Sequence, residues 1–247
     1  DTYNVIKSGV PAAIKVFKEM KPKKMGIRID SGDIAYLTKK ARQMLDEAGL
    51  SDCAITVSNS LDEYIIRDVI LEGAQINSFG VGERLITAKS EPVFGGVYKL
   101  SALEKDGKII PKIKISENVE KITNPGFKTL YRLFDRNNGK ALADVITVDG
   151  EVIPEVDGYE IFDPNAIWKK KQLYHFYAEN IRKQIFSRGK CVYTCPDIEE
   201  IRNYCREQME TLWDETLRFE NPQTYYVDLS QNLWEMKNRL IEEHTIR

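Results

Sequence analysis

The sequence predicts an α/β fold over residues 1–100 and an α+β region over residues 101–247. Helix and strand patterns alternate in the first stretch, whereas strand patterns suited to antiparallel pairing occupy 109–153 and helical patterns occupy 197–242. The alternation implies parallel strands joined by right-handed crossovers, and therefore a doubly wound sheet or part of a barrel. We expect two domains with these bounds.

Helix signals define the first elements. Ser8 and Pro11 mark a helix start, because proline is favoured in the first turn of a helix. A short apolar run at 25–29 predicts the first strand. The apolar stripe of the second helix begins at Ile34 and stops before Gly49, where glycine permits the left-handed cap that ends many helices.

The next elements complete the alternation. Residues 54–57 predict a second strand, and Ser60 with Glu63 fits a capping box for a helix that runs to Gly73. Residues 76–81 predict a third strand, which leads into a glycine-rich loop.

Three strand patterns follow, at 109–115, 129–134 and 141–148. Asn-Asn-Gly at 137–139 separates the last two and predicts a hairpin, because asparagine and glycine readily adopt the positive φ of tight turns. A further turn is expected at 149–150.

Helical signals return near the end of the chain. Asp197 and Glu200 fit a capping box, and the last helix is expected to start at Ser230. The apolar side chains after Asp197 share one helical face, which we expect to be buried: Ile198, Ile201, Cys205, Met209, Leu212 and Leu217.

Composition excludes some classes of partner. The chain has 247 residues, of which 42% are hydrophobic and 30% charged, and its net charge is −2. This charge gives no general attraction to nucleic acid or to anionic membranes, so we expect neither partner. No apolar run approaches the ~18 residues of a membrane-spanning helix, and we expect a cytoplasmic protein.

The four cysteines suit reduced thiols better than a disulfide framework. A zinc site built from Cys191, Cys195, Cys205 and His175 is the alternative, but this spacing matches no common zinc arrangement. We therefore predict buried thiols and no zinc.

Two polar clusters follow predicted strands, where α/β proteins place the loops that contact ligands. The first is Arg-Ile-Asp-Ser-Gly-Asp at 28–33, which offers carboxylates and a guanidinium. The second is Phe-Gly-Val-Gly-Glu-Arg at 79–84, whose glycines allow consecutive backbone N–H groups to converge on an anion. Together they suit a ligand with sugar hydroxyls and phosphate, and a phosphoribosyl compound is the obvious candidate.

These clusters and further segments occur in the order and spacing that nicotinate phosphoribosyltransferases show. The segments that carry the resemblance are Asp1-Thr2-Tyr3, Arg28-Ile29-Asp30-Ser31-Gly32-Asp33, Ser58-Asn59, Phe79-Gly80-Val81-Gly82, Gly95-Gly96-Val97-Tyr98-Lys99-Leu100, 112–118 and 121–126. An ordered set of this kind is far more specific than one glycine loop. The chain therefore resembles the C-terminal half of a member of that family.

The resemblance implies the activity and fold of the family. That activity joins nicotinate to phosphoribosyl pyrophosphate in NAD biosynthesis and gives nicotinate mononucleotide and pyrophosphate, with ATP hydrolysis coupled through a phosphohistidine. The implied fold is the incomplete TIM-like α/β barrel of type II phosphoribosyltransferases. Mg²⁺ is then the expected cofactor, ATP a co-substrate and a homodimer the expected assembly.

The resemblance also implies residue roles. Ser58-Asn59 and Gly80-Val81-Gly82 are assigned to the 5′-phosphate. Arg28 and Asp30 are the expected catalytic residues: Arg28 suits the pyrophosphate or the pyridine carboxylate, and Asp30 would accept hydrogen bonds from ribose hydroxyls. The predicted phosphoribosyl-binding set is Asp1, Thr2, Arg28, Asp30, Ser31, Gly32, Ser58, Asn59, Gly80, Val81, Gly82, Glu83 and Lys99.

Several of these residues also have a purely structural interpretation. Asp1 and Asp33 are predicted to hold Mg²⁺ through the pyrophosphate, yet Asp33, like Asp30 and Ser31, is of a type that caps helices. A lone Gly-x-Gly is more often a turn than a phosphate site. Lys99 either neutralises a phosphate or is an ordinary exposed lysine.

The chain begins with Asp1 rather than Met, and its only histidines, His175 and His244, lie outside the phosphohistidine motif of the family. We expect that motif and much of the nicotinate pocket upstream of Asp1. The chain alone is then expected to keep part of the phosphoribosyl site without catalysing the reaction. A nicotinamide or quinolinate phosphoribosyltransferase, or a non-catalytic assembly module, is the alternative.

Overall fold

The computed structural model describes residues 4–93 and 95–245. The chain divides into two compact units, residues 1–96 and 97–247. Each unit has a hydrophobic core of its own.

Strands and helices alternate in the first unit. In chain order the elements are a π-helical turn Val5–Gly9, α1 Val10–Met20, β1 Gly26–Ile29, α2 Ile34–Glu47, β2 Ala54–Ser58, α3 Glu63–Leu71, β3 Ser78–Gly80 and α4 Glu83–Ile86. The three strands form one parallel sheet in the order β1-β2-β3. The predicted parallel β-α-β-α-β unit is therefore confirmed.

The central strand and α2 supply most of the core of this unit. Ile55 and Val57 on β2 are fully buried, as are Ala41 and Leu45 on α2, and Ile29 at the end of β1 is nearly so. Burial alternates along β2 because successive side chains of a strand point to opposite faces. This packing fixes the strands and therefore the loops that follow them.

The third helix has a different cap from the one predicted. The Asp62 carboxylate accepts a hydrogen bond from the N–H of Ile65 at 2.9 Å. Ser60 has φ +52°, whereas a helix N-cap uses extended backbone such as the φ −136°, ψ 179° of Asp62. The predicted capping box of Ser60 and Glu63 is wrong, and a carboxylate caps α3 instead.

Short strands dominate the second unit. Its elements are β4 Ala102–Lys105, β5 Lys108–Pro111, a 3-10 turn Val119–Lys121, β6 Lys128–Asp135, β7 Ala141–Val148, β8 Tyr159–Asp163, β9 Ala166–Leu173, β10 Phe176–Asn180, β11 Phe186–Ser187, β12 Lys190–Cys191, α5 Ile198–Glu210, β13 Val227–Leu229 and α6 Gln231–Thr245. One sheet has the order β10-β6-β7-β13, and β4-β5, β8-β9 and β11-β12 form antiparallel pairs.

The hairpin of β6 and β7 confirms the prediction from Asn-Asn-Gly, and Gly139 has φ +69°. The predicted strand at 109–115 is shorter, because β5 ends at Pro111. β4, β8 to β12 and β13 were not predicted from the sequence. β9 shows why: its central residues are exposed, so it lacks the apolar alternation by which a half-buried strand is recognised.

The predicted capping box of α5 is confirmed, but the predicted burial of its apolar face is wrong. Asp197 Oδ1 accepts from the N–H of Glu200 at 2.9 Å, and Glu200 Oε2 accepts from the N–H of Asp197 at 3.0 Å. α5 has no buried residue within the described chain. Cys191, Cys195 and Cys205 are exposed, so the prediction of buried thiols is wrong for these three. For Cys205 on α5 the reason is that helical periodicity does not show what covers a face.

α6 begins directly after Ser230, as predicted. The Ser230 hydroxyl accepts a hydrogen bond from the N–H of Leu233 at 3.3 Å, and Leu233 and Leu240 bury one face of the helix. Over residues 4–93 and 95–245, no helix is long and apolar enough to cross a membrane.

Candidate functional site

The two predicted clusters meet at the carboxyl ends of the parallel strands. The register pairs Ile29 with Val57 and Ser58 with Gly80. Strands that run in one direction end at one edge of the sheet, so the loops after β1, β2 and β3 are neighbours. Residues thirty and fifty positions apart in the sequence thereby share one site.

Arg28 joins the first two of these strands. Its Nε donates to Ser58 Oγ at 2.7 Å, and its Nη2 donates to the Asp30 carboxylate. The Arg28 side chain is 62% exposed despite these contacts. A guanidinium has five N–H donors, so the remaining donors can reach an anion from outside the sheet.

Asp30 is held in place at the end of β1. Its side chain is 16% exposed, and its backbone C=O accepts from Asn59 Nδ2 at 2.9 Å. Its Oδ1 atom is buried and has no hydrogen-bond partner among the described residues. A buried polar atom without a partner costs free energy, and a bound ligand is one way in which such an atom gains a partner.

The loop after β2 turns sharply. Asn59 and Ser60 both have positive φ, 81° and 52°. Asparagine tolerates this left-handed region better than most residues. The turn directs the Asn59 amide back to Asp30, so the loops after β1 and β2 support each other.

The loop after β3 presents its backbone. A Cβ on Gly80 would lie 3.2 Å from Ser58 Cβ, a tighter contact than most Cβ atoms make, so the close approach of the two strands favours glycine here. Val81 packs against the core, and a Cβ on Gly82 would meet nothing within 4 Å. The side of Gly82 on which a side chain would project therefore borders open space.

The end of the first cluster is a helix cap. Asp33 Oδ1 accepts from the N–H of Tyr36 at 2.8 Å, and this caps α2. Gly32 has φ +80°, and a Cβ there would lie 2.9 Å from Leu37 Cδ1. The alternative interpretation of Asp33 as a cap is therefore confirmed, whereas a magnesium role for it stays a prediction.

A cleft opens beside Arg28 and Asp30. Its volume is about 200 Å³, and Val5, Gly9, Val10, Ile27 and Ile29 form the rest of its lining. One wall is therefore apolar and one rim carries a guanidinium and a carboxylate. This arrangement suits a small ring or sugar with an anionic substituent.

Comparison with known proteins decides the family. Residues 127–237 match the model of the nicotinate phosphoribosyltransferase C-terminal domain. Nicotinate phosphoribosyltransferase of Bacillus subtilis (strain 168) is 42% identical over 245 residues, which are 98% of this chain and 50% of that protein. The chain belongs to the nicotinate phosphoribosyltransferase family.

More distant relatives agree. Nicotinate phosphoribosyltransferase of Dictyostelium discoideum is 32% identical, over 97% of this chain and 43% of its own length. The crystal structure of human nicotinic acid phosphoribosyltransferase superposes with a TM-score of 0.70 at 25% identity, over 98% of this chain and 46% of that one. The chain thus spans about half the length of the nicotinate phosphoribosyltransferases that it matches.

A second solved structure supports the fold alone. Nicotinate-nucleotide pyrophosphorylase from Pyrococcus furiosus has a TM-score of 0.51 at 24% identity, over 85% of this chain and 45% of that one. The mixed α/β fold is therefore shared with that protein.

Some residues of the predicted phosphoribosyl-binding set are not among these contacts. Asp1 and Thr2 are outside the described residues. Glu83 is the first residue of α4, and it is exposed. Lys99 belongs to the second unit, where it lines a cleft of about 710 Å³ with Lys114 and Lys121.

Asp62 is the residue at this edge that sequence reasoning missed. Its carboxylate forms an ion pair with Arg84, which follows the glycine loop. The predicted cap of α3 was Ser60, two residues before the actual cap, so Asp62 was not identified from the sequence. The sequence signal for this cap was the position of Asp62 directly before the apolar helix pattern, because aspartate is among the residues most favoured at N-caps.

Proposed function

We propose that the first unit holds the phosphoribosyl half of a nicotinate phosphoribosyltransferase active site. The reaction would join nicotinate to phosphoribosyl pyrophosphate and release pyrophosphate, as a step of NAD biosynthesis. The observation that carries this proposal is the meeting of Arg28, Asp30, Ser58 and the 80–82 loop at one sheet edge. Family membership supports it.

The 5′-phosphate is assigned to the loops after β2 and β3. Backbone N–H groups that converge in a turn favour an anion without any charged side chain. Gly80 allows the 80–82 loop to approach Ser58 closely, and the Ser58 hydroxyl and Asn59 amide supply polar groups from the facing loop. These groups match the geometry of a phosphate better than that of an apolar ligand.

Asp30 is assigned to the ribose. Glycosyl transfer builds positive charge on the sugar as the bond to the leaving group breaks, and a nearby carboxylate stabilises that charge. The unpartnered Oδ1 of Asp30 offers an acceptor to a ribose hydroxyl. Arg28 holds the other carboxylate oxygen, so Asp30 is fixed before the ligand arrives.

Arg28 is assigned to the anion that faces Asp30. A guanidinium matches pyrophosphate or a pyridine carboxylate through paired N–H donors. Because the contacts to Ser58 and Asp30 fix its plane, Arg28 loses little conformational freedom when it binds.

The acidic residues fit Mg²⁺ delivered with pyrophosphate rather than a metal held by protein alone. Over the described residues, no group of three or more His, Cys, Asp or Glu side chains could hold a metal. Mg²⁺ needs only one or two carboxylates when phosphates complete its shell. Asp33 or Asp1 would hold it, and the ion would neutralise charge on the departing pyrophosphate.

We assign the remaining steps of the reaction to the part of the relatives' sequence that this chain does not span. His175 and His244 lie outside the phosphohistidine motif of the family, so we assign the ATP-dependent phosphohistidine to that other half. The parallel unit would form part of an incomplete TIM-like barrel, and the enzyme would be a cytoplasmic homodimer. The chain by itself would not turn over nicotinate.

Calorimetric titration with nicotinate mononucleotide tests this proposal. We expect binding to the wild-type chain and at least about tenfold weaker binding to Asp30→Ala, since one charged hydrogen-bonding group is worth about 1.5–3 kcal/mol. Asp52→Ala, an exposed aspartate before β2, is the matched control and should bind like the wild type. Absence of binding to the wild type, or equal binding to both variants, would contradict the proposal.

A further inference from the structure

One ion pair ties the loop after β3 to the helix that follows β2. Arg84 Nη1 donates to Asp62 Oδ2, and the two side chains are 26% and 20% exposed. The other oxygen of Asp62 accepts from the N–H of Ile65 and caps α3. One carboxylate therefore holds a helix start and an arginine from a different loop.

The pair sits just beyond both loops assigned to phosphate. Asp62 lies three residues after Asn59, and Arg84 lies two residues after Gly82. Within the sheet these loops are joined at Ser58 and Gly80, but that pairing is the last one of β2 and β3. The Asp62–Arg84 ion pair connects the same two loops at their other ends, where each leads into a helix.

The 80–82 loop requires a contact of this kind to keep its backbone conformation. Gly82 has φ −113° and ψ −105°, outside the helical and extended regions, and a Cβ there would have no neighbour within 4 Å. Packing therefore does not hold this residue. Its C=O accepts from the N–H groups of Leu85 and Ile86 in α4, so whatever holds α4 also holds Gly82.

We propose that Arg84 is a positioning residue, which acts through Asp62 to hold the 80–82 loop in its phosphate-binding conformation. The inference rests on the proposed phosphoribosyl function and adds to it the residue that keeps the phosphate loop in shape. The N–H of Ile65 and the Arg84 guanidinium both lower the pKa of Asp62, in keeping with a carboxylate that stays ionised. The charge pair is therefore present throughout the neutral pH range.

A direct contact between Arg84 and the phosphate is the competing explanation. The two predict opposite effects of Asp62→Asn, which removes the charge but keeps an oxygen that can cap α3. If Arg84 binds phosphate itself, this change frees the guanidinium and binding strengthens or stays the same. If Arg84 acts by positioning, binding weakens as it does in Arg84→Gln.

The test combines ligand affinity with hydrogen exchange in the full 247-residue chain. We expect Arg84→Gln and Asp62→Asn each to weaken nicotinate mononucleotide binding about tenfold, and the double variant to be no weaker than either single one. Exchange of the amides at 80–82 should rise in these variants while the core of β2 is unchanged. Arg84→Lys, which keeps the charge, should restore part of the affinity.

The matched control is Arg202→Gln, which removes an exposed arginine paired with Glu199 in the second unit. Failure of the wild-type chain to bind would contradict the phosphoribosyl function itself. Binding by the wild type with equal affinity in Arg84→Gln would contradict only the positioning role, as would tighter binding in Asp62→Asn. Exchange that rises equally in the loop and in β2 would show a general loss of stability and would also overturn the role.

Discussion

Arg28 on β1 donates from Nε to the Ser58 hydroxyl on β2 across 2.7 Å, next to its ion pair with Asp30. This contact links the first sequence cluster to Ser58, which pairs with Gly80 of the second cluster in the parallel sheet. Arginine that is held on two sides presents its remaining donors in a fixed direction, which favours recognition of a planar or tetrahedral anion.

Ser58→Ala should weaken binding of nicotinate mononucleotide about threefold to tenfold, because Arg28 loses one of its two supports and the proposed phosphate site loses a hydroxyl. Ser78→Ala is the control, since Ser78 Oγ shares a hydrogen bond of 2.7 Å with Thr56 Oγ1 in the same sheet but does not touch Arg28. Calorimetry on the two variants compares them directly. Equal losses would show that Arg28 does not depend on Ser58.

Gly80→Ala should destabilise the first unit and weaken phosphate binding. The new Cβ would lie 3.2 Å from Ser58 Cβ, a tighter contact than most Cβ atoms make, so Ser58 must shift by a few tenths of an ångström, at a cost of about 1 kcal/mol. Gly95→Ala adds the same atom where nothing lies within 4 Å and should be neutral. Thermal unfolding of both variants checks this, and an unchanged melting temperature for Gly80→Ala would refute it.

Asp228 should give the second unit a distinctive pH dependence. Burial, with a smaller effect from the Asp163 carboxylate, raises the pKa of Asp228 to about 6, whereas an unfolded aspartate titrates near ~3.9. Between these two pKa values the Asp228 carboxyl is protonated in the folded chain but ionised in the unfolded chain. The stability that Asp228 contributes is therefore present at low pH and is lost as the pH rises through about 6.

Urea unfolding at pH 4 and pH 7 measures this effect. Relative to Asp228→Asn, the wild type should lose about 1–3 kcal/mol of stability over that interval. The comparison with the variant removes the contribution of other titrating groups. The same pH dependence in both proteins would mean that Asp228 does not titrate as described.

Asp144→Ala should destabilise the second unit by about 3–5 kcal/mol, because it leaves a largely buried arginine without its partner. Arg132 donates to both oxygens of Asp144, at 2.8 and 3.0 Å, and the Tyr225 hydroxyl donates to the same carboxylate at 2.9 Å. The paired carboxylate raises the pKa of Arg132.

The control for this prediction is Glu199→Ala, whose pair with Arg202 is exposed and should be worth about 0.5 kcal/mol or less. Urea unfolding followed by far-ultraviolet circular dichroism compares the two. A loss of similar size in both variants would show that burial does not strengthen the Arg132–Asp144 pair.

The sequence was a good guide where an element has a regular apolar pattern between clear turns. β2 alternates buried and half-buried residues, and β7 is buried along most of its length, so both are recognised from apolar pattern and flanking turns. β9 was missed because six consecutive residues of it are exposed. Its pairing with β8 depends on backbone hydrogen bonds, which leave little trace in composition.

The residues that meet at the sheet edge were predictable from the sequence, but the contacts between them were not. Arg28, Asp30 and Gly80 were identified from motifs at strand ends, because parallel strands bring their carboxyl ends together whatever the loop sequence. The contact of Arg28 with Ser58 depends on side-chain direction, and that of Asp62 with Arg84 on the path of two loops. Neither follows from spacing in the chain.

Amide chemical shifts of the isotope-labelled chain during titration with nicotinate mononucleotide test the location of the phosphoribosyl site most directly. The largest shifts should occur at Gly80, Val81 and Gly82 and at Asn59, with small ones in the second unit. Shifts confined to residues 97–247, or no shifts at saturating ligand, would contradict a phosphate site at the carboxyl ends of β2 and β3.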